Sequence, residues 1–158
     1  MRLQLKPKTL GRRILIPLSG RERDMADTDV TPDPVDVNGE EPPIVGSMCQ
    51  RIVAIEYTHA GAVLEPANVI FLKFADQWYR LYFDYGTIFW RPSTSGPEGF
   101  VATEIDAGFR PVEIAGFERA RLLALTYSVI DQGSEVRLKF ESAPTLTFRC
   151  VNDVTSYE

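Results

Sequence analysis

The chain carries one histidine, His59, and two cysteines, Cys49 and Cys150, 101 residues apart in sequence (150 − 49 = 101). That inventory bounds the chemistry. It leaves no histidine-clustered zinc site, and two such separated thiols offer no metal-ligand spacing of their own. A Ser/His/Asp or Cys/His relay would have to use His59, which falls in the loop-like stretch Tyr57-Thr58-His59-Ala60-Gly61, where an imidazole is ordinarily just solvated. No GxxxxGK[ST] or GxGxxG phosphate loop is present, and Ser95-Gly96-Pro97-Glu98-Gly99 reads as a turn cluster. Glu56, Asp84, Glu104 and Asp106 are the carboxylates that could pair for acid–base work. At strand ends such groups are usually solvated or paired with arginine. The expectation is a chain without catalytic residues, metal or cofactor.

The chemistry on offer is recognition. Trp78-Tyr79-Arg80-Leu81-Tyr82 is dense in the three residue types that dominate binding hot spots. With Phe71, Asp84 and Trp90 it defines a candidate partner-binding set: Phe71, Trp78, Arg80, Tyr82, Asp84 and Trp90. These residues need strands to present them. Trp78–Asp84 alternates, with Tyr79, Leu81 and Phe83 on one face and Trp78, Arg80, Tyr82 and Asp84 on the other. Tyr85-Gly86 is a turn signal that returns the chain as Thr87–Arg91.

The same kind of segment recurs downstream. Ile44–Tyr57 aligns without a gap on Ile114–Tyr127, so that Gly46, Arg51, Ala54 and Tyr57 meet Gly116, Arg121, Ala124 and Tyr127. Leu72-Lys73-Phe74 returns as Leu138-Lys139-Phe140, and Trp78–Asp84 answers to Thr145–Val151. Further strands are read at Asn68–Phe74, Glu135–Glu141 and Val154–Tyr157, with a weaker one at Phe100–Glu104. Segment 113–125 also has helix formers and could hold a short helix. The fold class expected is therefore all-β: a tandem duplicated antiparallel module, repeats 43–91 and 111–157, closing as a sandwich or curved barrel with pseudo-twofold symmetry. The expected core is Val53, Ile55, Ile70, Leu72, Phe74, Tyr79, Leu81 and Phe83, with Leu123, Leu125, Val136, Leu138, Phe140, Leu146, Phe148 and Cys150 from the second repeat. The outward positions differ between copies. Repeat two shows Arg137, Lys139, Thr145, Thr147 and Arg149; repeat one shows Phe71, Lys73, Trp78, Arg80 and Tyr82, with Val69 before them and Phe89 or Trp90 from the next strand. A contiguous aromatic patch is seldom left bare. Either the 92–110 connector, with Phe100, Val101 and Phe109, covers it, or a partner does.

Charge is segregated. Residues 1–23 hold seven basic groups against Glu22 alone, residues 24–41 hold seven acids and no base, and 42–158 carry ten basic and fourteen acidic residues, a net of 10 − 14 = −4. A mildly acidic body argues against phosphate-backbone binding. Residues 1–41 read as a flexible leader that cannot bury enough apolar surface to offset its ordering entropy. It is compatible with a transit peptide, a basic arm, or an upstream extension before a start at Met25. The 42–158 segment reads as one β domain. The apolar run at Ile14-Leu15-Ile16 stops at Pro17 and is too short for a signal core, and no stretch is long enough to span a bilayer. Reduced buried thiols and a cytoplasmic location are expected.

The residues Ile52-Val53-Ala54-Ile55, Phe71-Leu72-Lys73-Phe74 and Trp78–Asp84 give the first repeat a resemblance to small bacterial β-domain immunity proteins of polymorphic toxin systems. The resemblance covers roughly 43–91 and, more faintly, 111–157. It implies a cytoplasmic, non-enzymatic protein-binding domain that neutralises a toxin by direct binding, with an acidic body suited to a basic toxin. A homodimer, an assembly subunit using the N-terminal arm, and a small enzyme using strand-end carboxylates are the alternatives.

Overall fold

Tight turns set the architecture. At Ala60-Gly61, Ala75-Asp76, Tyr85-Gly86 and Asn152-Asp153 both residues have positive φ, the pattern of a type I′ hairpin turn, whose twist matches that of the strands it joins. The computed structural model describes residues 34–99 and 107–158. Within them the chain forms β1 (Val37–Asn38), β2 (Cys49–His59), β3 (Ala62–Phe74), β4 (Gln77–Asp84), β5 (Thr87–Ser93), a 3-10 turn (Pro97–Gly99), β6 (Ala107–Glu113), β7 (Leu122–Ile130), β8 (Gly133–Phe140), β9 (Leu146–Val151) and β10 (Val154–Tyr157). They make two sheets, one ordered β1-β5-β4-β3-β2-β6 and the other β10-β9-β8-β7. All pairings are antiparallel except the two-residue parallel contact of β1 with β5. A sandwich-like all-β fold results, and no α-helix occurs among the described residues, including 113–125.

Each sheet turns one apolar face inward, and the two faces share one interior. Ile52, Ala54, Ile70, Leu72, Phe74, Leu81, Ile88 and Trp90 from the first sheet pack with Leu122, Val136, Leu138, Phe140, Leu146 and Phe148 from the second. Trp90 also ties the layers together by donating its indole N–H to the Tyr127 hydroxyl oxygen at 3.0 Å. Burial, reinforced by Glu41, holds the Tyr127 phenol well above its ordinary pKa, so it stays a neutral partner.

The two meanders, β2–β5 and β7–β10, run in the same order, and they meet at a crossing with twofold character. Met48 and Arg121 form an isolated antiparallel bridge. Around it Gly46 N–H donates to the Leu122 carbonyl as Arg119 N–H does to that of Cys49, both at 2.8 Å. Cys49 N–H donates to Ala120 as Leu122 N–H does to Ser47. Every bond maps onto its counterpart by a shift of 73 positions (121 − 48). Gly46 and Arg119, equivalent under that shift, both take positive φ. The bulges correspond too: Cys49 and Arg51 face Phe74 and Lys73, as Leu122 and Ala124 face Phe140 and Lys139.

Several expectations need correction. The sequence alignment uses a shift of 70 (114 − 44), three residues away from the shift of 73 that relates the hydrogen bonds of the crossing. Strand phase differs as well. Ile52 and Ala54 face the shared interior, whereas Val53 and Ile55 form a separate cluster with Phe71 on the opposite face of the first sheet. Leu123, expected in the core, is 44% exposed, and Leu122 is buried instead. Sheet structure begins before residue 42, within the stretch read as a flexible leader. Val37–Asn38 is a sheet strand, and Val35 and Val37 pack on the core. The strand expected at Phe100–Glu104 and the readings of residues 1–33 lie outside the described residues.

The overhanging first half of β3 serves the second sheet. Glu65 accepts from the backbone N–H of Thr155 in β10 at 3.2 Å and from Asn68 at 2.7 Å. Both cysteines are free and buried. Burial, with a smaller effect of the Glu118 charge, pushes the Cys49 thiol up from 9.0 to about 12, and burial likewise raises Cys150.

Two outcomes follow. Leu138→Ala should cost about 2–5 kcal/mol in denaturant unfolding, while Leu123→Ala should stay within about 0.5 kcal/mol; equal losses would refute the phase described here. Because the folded Cys49 thiol sits above its unfolded value, its contribution is complete below pH 9 and drains as pH rises toward about 12. Stability should fall across that window, less so in Cys49→Ala, and neither thiol should react with an aromatic disulfide reagent at neutral pH unless the protein unfolds.

Candidate functional site

The outer face of the six-stranded sheet is assembled by register. Val53 of β2 stands opposite Glu113 of β6 and Phe71 of β3; Phe71 stands opposite Arg80 of β4, and Arg80 opposite Arg91 of β5. On one side lies Lys73-Trp78-Ser93, on the other the pair Tyr82-Phe89. The two-residue turn at Tyr85-Gly86 dictates the last pairing. With Asp84 opposite Thr87, Tyr82 must meet Phe89 and inward Leu81 must meet Trp90.

The β2–β3 half of this face is closed. Val53, Ile55 and Phe71 are buried, with Val69, Trp78 and Phe109 packed against them. The connector contributes: Phe109 in β6 lies 5.3 Å from the Tyr57 ring, Pro97 is buried, and Gly96 backs onto the Trp78 indole, where a Cβ would come within 2.7 Å of the ring. Arg51 pins this corner. It bonds Glu98 at 2.5 Å and Glu113 through both Nε, at 2.7 Å, and Nη2, and its guanidinium lies 5.7 Å from the centre of the Trp78 ring. Glu98 is held below the usual carboxylate range, first by its own backbone N–H and then by Arg51. Phe100, Val101, Glu104 and Asp106 lie outside the described residues.

The β4–β5 half stays half-exposed: Trp78, Arg80, Tyr82, Phe89 and Arg91. Trp78 meets Phe71 edge to face at 6.3 Å, and Lys73 Nζ sits 5.8 Å from the Trp78 ring. Tyr82 and Phe89 stack at 4.9 Å with only 5° between planes. Arg91 covers Phe89 at 5.4 Å and is bound by the Asn38 carbonyl, Asn38 Oδ1 and the Trp90 carbonyl. Arg80 differs: its Nε is buried with no acceptor.

Of the residues expected to bind a partner, Trp78, Arg80 and Tyr82 share this surface. Phe71 lies beneath it, 3% exposed, and Asp84 is exposed at the strand end. Trp90 does not belong: it is 1% exposed and points into the shared interior, where the hairpin register must place it. Phe89 and Arg91 take its place. The signal for them was the turn register itself, since outward Tyr82 implies outward Phe89.

Other chemistry does not converge. His59 is exposed at the end of β2, and Glu56 is paired with Arg110 at 2.5 Å. Among the described residues no group of three His, Cys, Asp or Glu side chains gathers to hold a metal. A cleft of about 530 Å³ opens where the β4–β5, β7–β8 and β9–β10 turns approach one another. Both carboxylates in it are engaged, Asp36 by the Thr87 hydroxyl and Asp153 by the Tyr85 N–H. No helix among the described residues is long and apolar enough to cross a membrane.

The fold and site thus define an all-β two-sheet protein with an aromatic–arginine surface on its larger sheet. Comparison with known proteins returned no matching family model, no matching curated protein and no matching solved structure.

The Tyr82–Phe89 stack should be measurable. A double-mutant cycle with Tyr82→Leu and Phe89→Leu should give a coupling of about 0.5–1.5 kcal/mol. A coupling near zero would mean that the rings do not stack in solution.

Proposed function

We propose that this chain is a non-enzymatic protein-binding domain that receives its partner on the β4–β5 half of the larger sheet's outer face. One contrast carries the reading. On the smaller sheet the equivalent face is polar and satisfies itself: Glu135 binds Arg137 at 2.6 Å and Arg149 at 3.1 Å, and Arg149 also reaches Glu158. On the larger sheet, aromatic rings stand half-exposed around an arginine with an unused donor. Aromatic and arginine side chains at the centre of a patch are the composition that supplies most of the energy of a protein interface.

An immunity-type role, in which the domain neutralises a toxin by covering it, is the finer form of this proposal. Local charge refines the partner. The body is acidic, but Lys73, Arg80 and Arg91 make the docking half cationic, so a basic toxin surface suits the remainder of the domain better than this face. A photo-crosslinking amino acid placed at Tyr82 in the full chain, expressed in its native cells, should give one discrete protein adduct. The same residue at Lys139, exposed on the opposite sheet, should give none. No adduct at either position, or the same pattern at both, would refute the docking face; an adduct with a second copy of the chain would make the partner a homodimer.

A further inference from the structure

We propose that Arg80 is the receptor for a carboxylate of the partner, and that the docked segment is an acidic stretch with apolar side chains beside the acid. This rests on the docking reading above and names the chemistry it selects. Arg80 is placed at a cost. It stands directly opposite Arg91, and like charges directly opposed across a ladder repel. Its other cross-strand neighbour is Phe71, and its neighbours two residues away along β4 are Trp78 and Tyr82. None of these can accept a charge-assisted bond from a guanidinium with a carboxylate's strength.

The described acids of this face are committed or distant. Glu98 and Glu113 are held by Arg51. Asp84 lies four residues along an extended strand, about 13 Å away at the usual rise. No carboxylate among the described residues forms an ion pair with Arg80. The two arginines thus differ in kind. Arg91 has three acceptors, all from β1 or its own strand. Arg80 has a buried Nε with none. A buried donor without a partner is rare in a folded protein, and a ligand that brings the acceptor is one way to complete it.

The shape of the acceptor follows. A guanidinium presents a planar fork that two carboxylate oxygens match, and the flanking rings lower the local dielectric around the pair. Trp78 on one side and Tyr82 stacked on Phe89 on the other offer flat apolar surface for the residues next to the acid. Lys73, over the Trp78 ring, adds a second positive charge. The net charge of −5 over the whole chain opposes long polyanions, which favours a protein carboxylate over a nucleic acid.

The test uses the full chain and the indole N–H resonances of its two tryptophans, Trp78 on the face and Trp90 in the interior. The probe is the acetylated, amidated pentapeptide Leu-Glu-Leu-Glu-Leu, with Leu-Lys-Leu-Lys-Leu and inorganic phosphate as comparators. The glutamate peptide should shift Trp78 and leave Trp90 in place, and Arg80→Gln should weaken that binding at least tenfold, while Arg149→Gln leaves it unchanged. The lysine peptide should be silent. Arg80→Met should melt no lower than the parent, since it removes a repelled charge that has no partner among the described residues. Equal affinity in Arg80→Gln, an equal response to the lysine peptide, saturation by phosphate alone, or a marked loss of melting temperature in Arg80→Met would each overturn the proposal. If the peptide fails while the crosslink from position 82 persists in an Arg80→Gln background, the carboxylate assignment is wrong and the docking face stands; if both fail, both are wrong.

Discussion

The crossing of residues 46–49 with 119–122 is the constraint on which the rest depends. Each four-stranded meander has one apolar face and cannot bury it alone. The short ladder around Met48 and Arg121 fixes how the two faces meet, because its hydrogen bonds interchange under a single shift and so hold the lead-in segments of β2 and β7 in equivalent positions. Buried Cys49 and Leu122 then enter the interior side by side, and each strand that follows inherits its phase from that start. The Trp90–Tyr127 hydrogen bond closes the far side of the same interior. The placement of Trp78, Arg80 and Tyr82 on the outer surface is thus a downstream result of a contact on the other face of the sheet.

Much of the fold was legible. Period-2 alternation in Trp78–Asp84 gave the correct faces for Tyr79, Leu81 and Phe83, which all pack on the interior. Tyr85-Gly86 announced its hairpin through the glycine. Ala75-Asp76 announced nothing: an alanine at φ 47° is unfavourable in isolation and is held there by the paired strands on either side. β1 was hidden by composition, since two residues of an acidic, proline-rich stretch make a strand only because the β5 edge lies beside them. The helix formers of 117–125 were overridden by the sheet in the same way.

The site was legible in type and misread in detail. Aromatic and arginine residues at alternate positions of β4 were sufficient to mark a face. Between adjacent Phe89 and Trp90 in Thr87–Ser93 the outward residue was misassigned to Trp90, because phase is a property of pairing, and pairing is set by the turn. The inversion of Val53 and Ile55 has a related cause. Arg51–Tyr57 is nearly continuous in apolar residues, so both faces of β2 are greasy and alternation carries no information; the strand is covered on both sides, by the second sheet within and by Trp78 and Phe109 without. The unmatched arginine could not be found from sequence at all, because an absence of acceptors is a fact about three dimensions.

β6 has a bearing on how the protein behaves in a crowded solution. Among the described residues it is the outermost strand beyond β2, and it carries Pro111 between Arg110 and Glu113. An outermost strand with free amides is a template on which another chain can grow. A proline withdraws one of those amides, and charged neighbours oppose the flat stacking that fibrils need. The domain can therefore hold half-exposed aromatic rings on one part of the sheet while its flank resists runaway polymerisation.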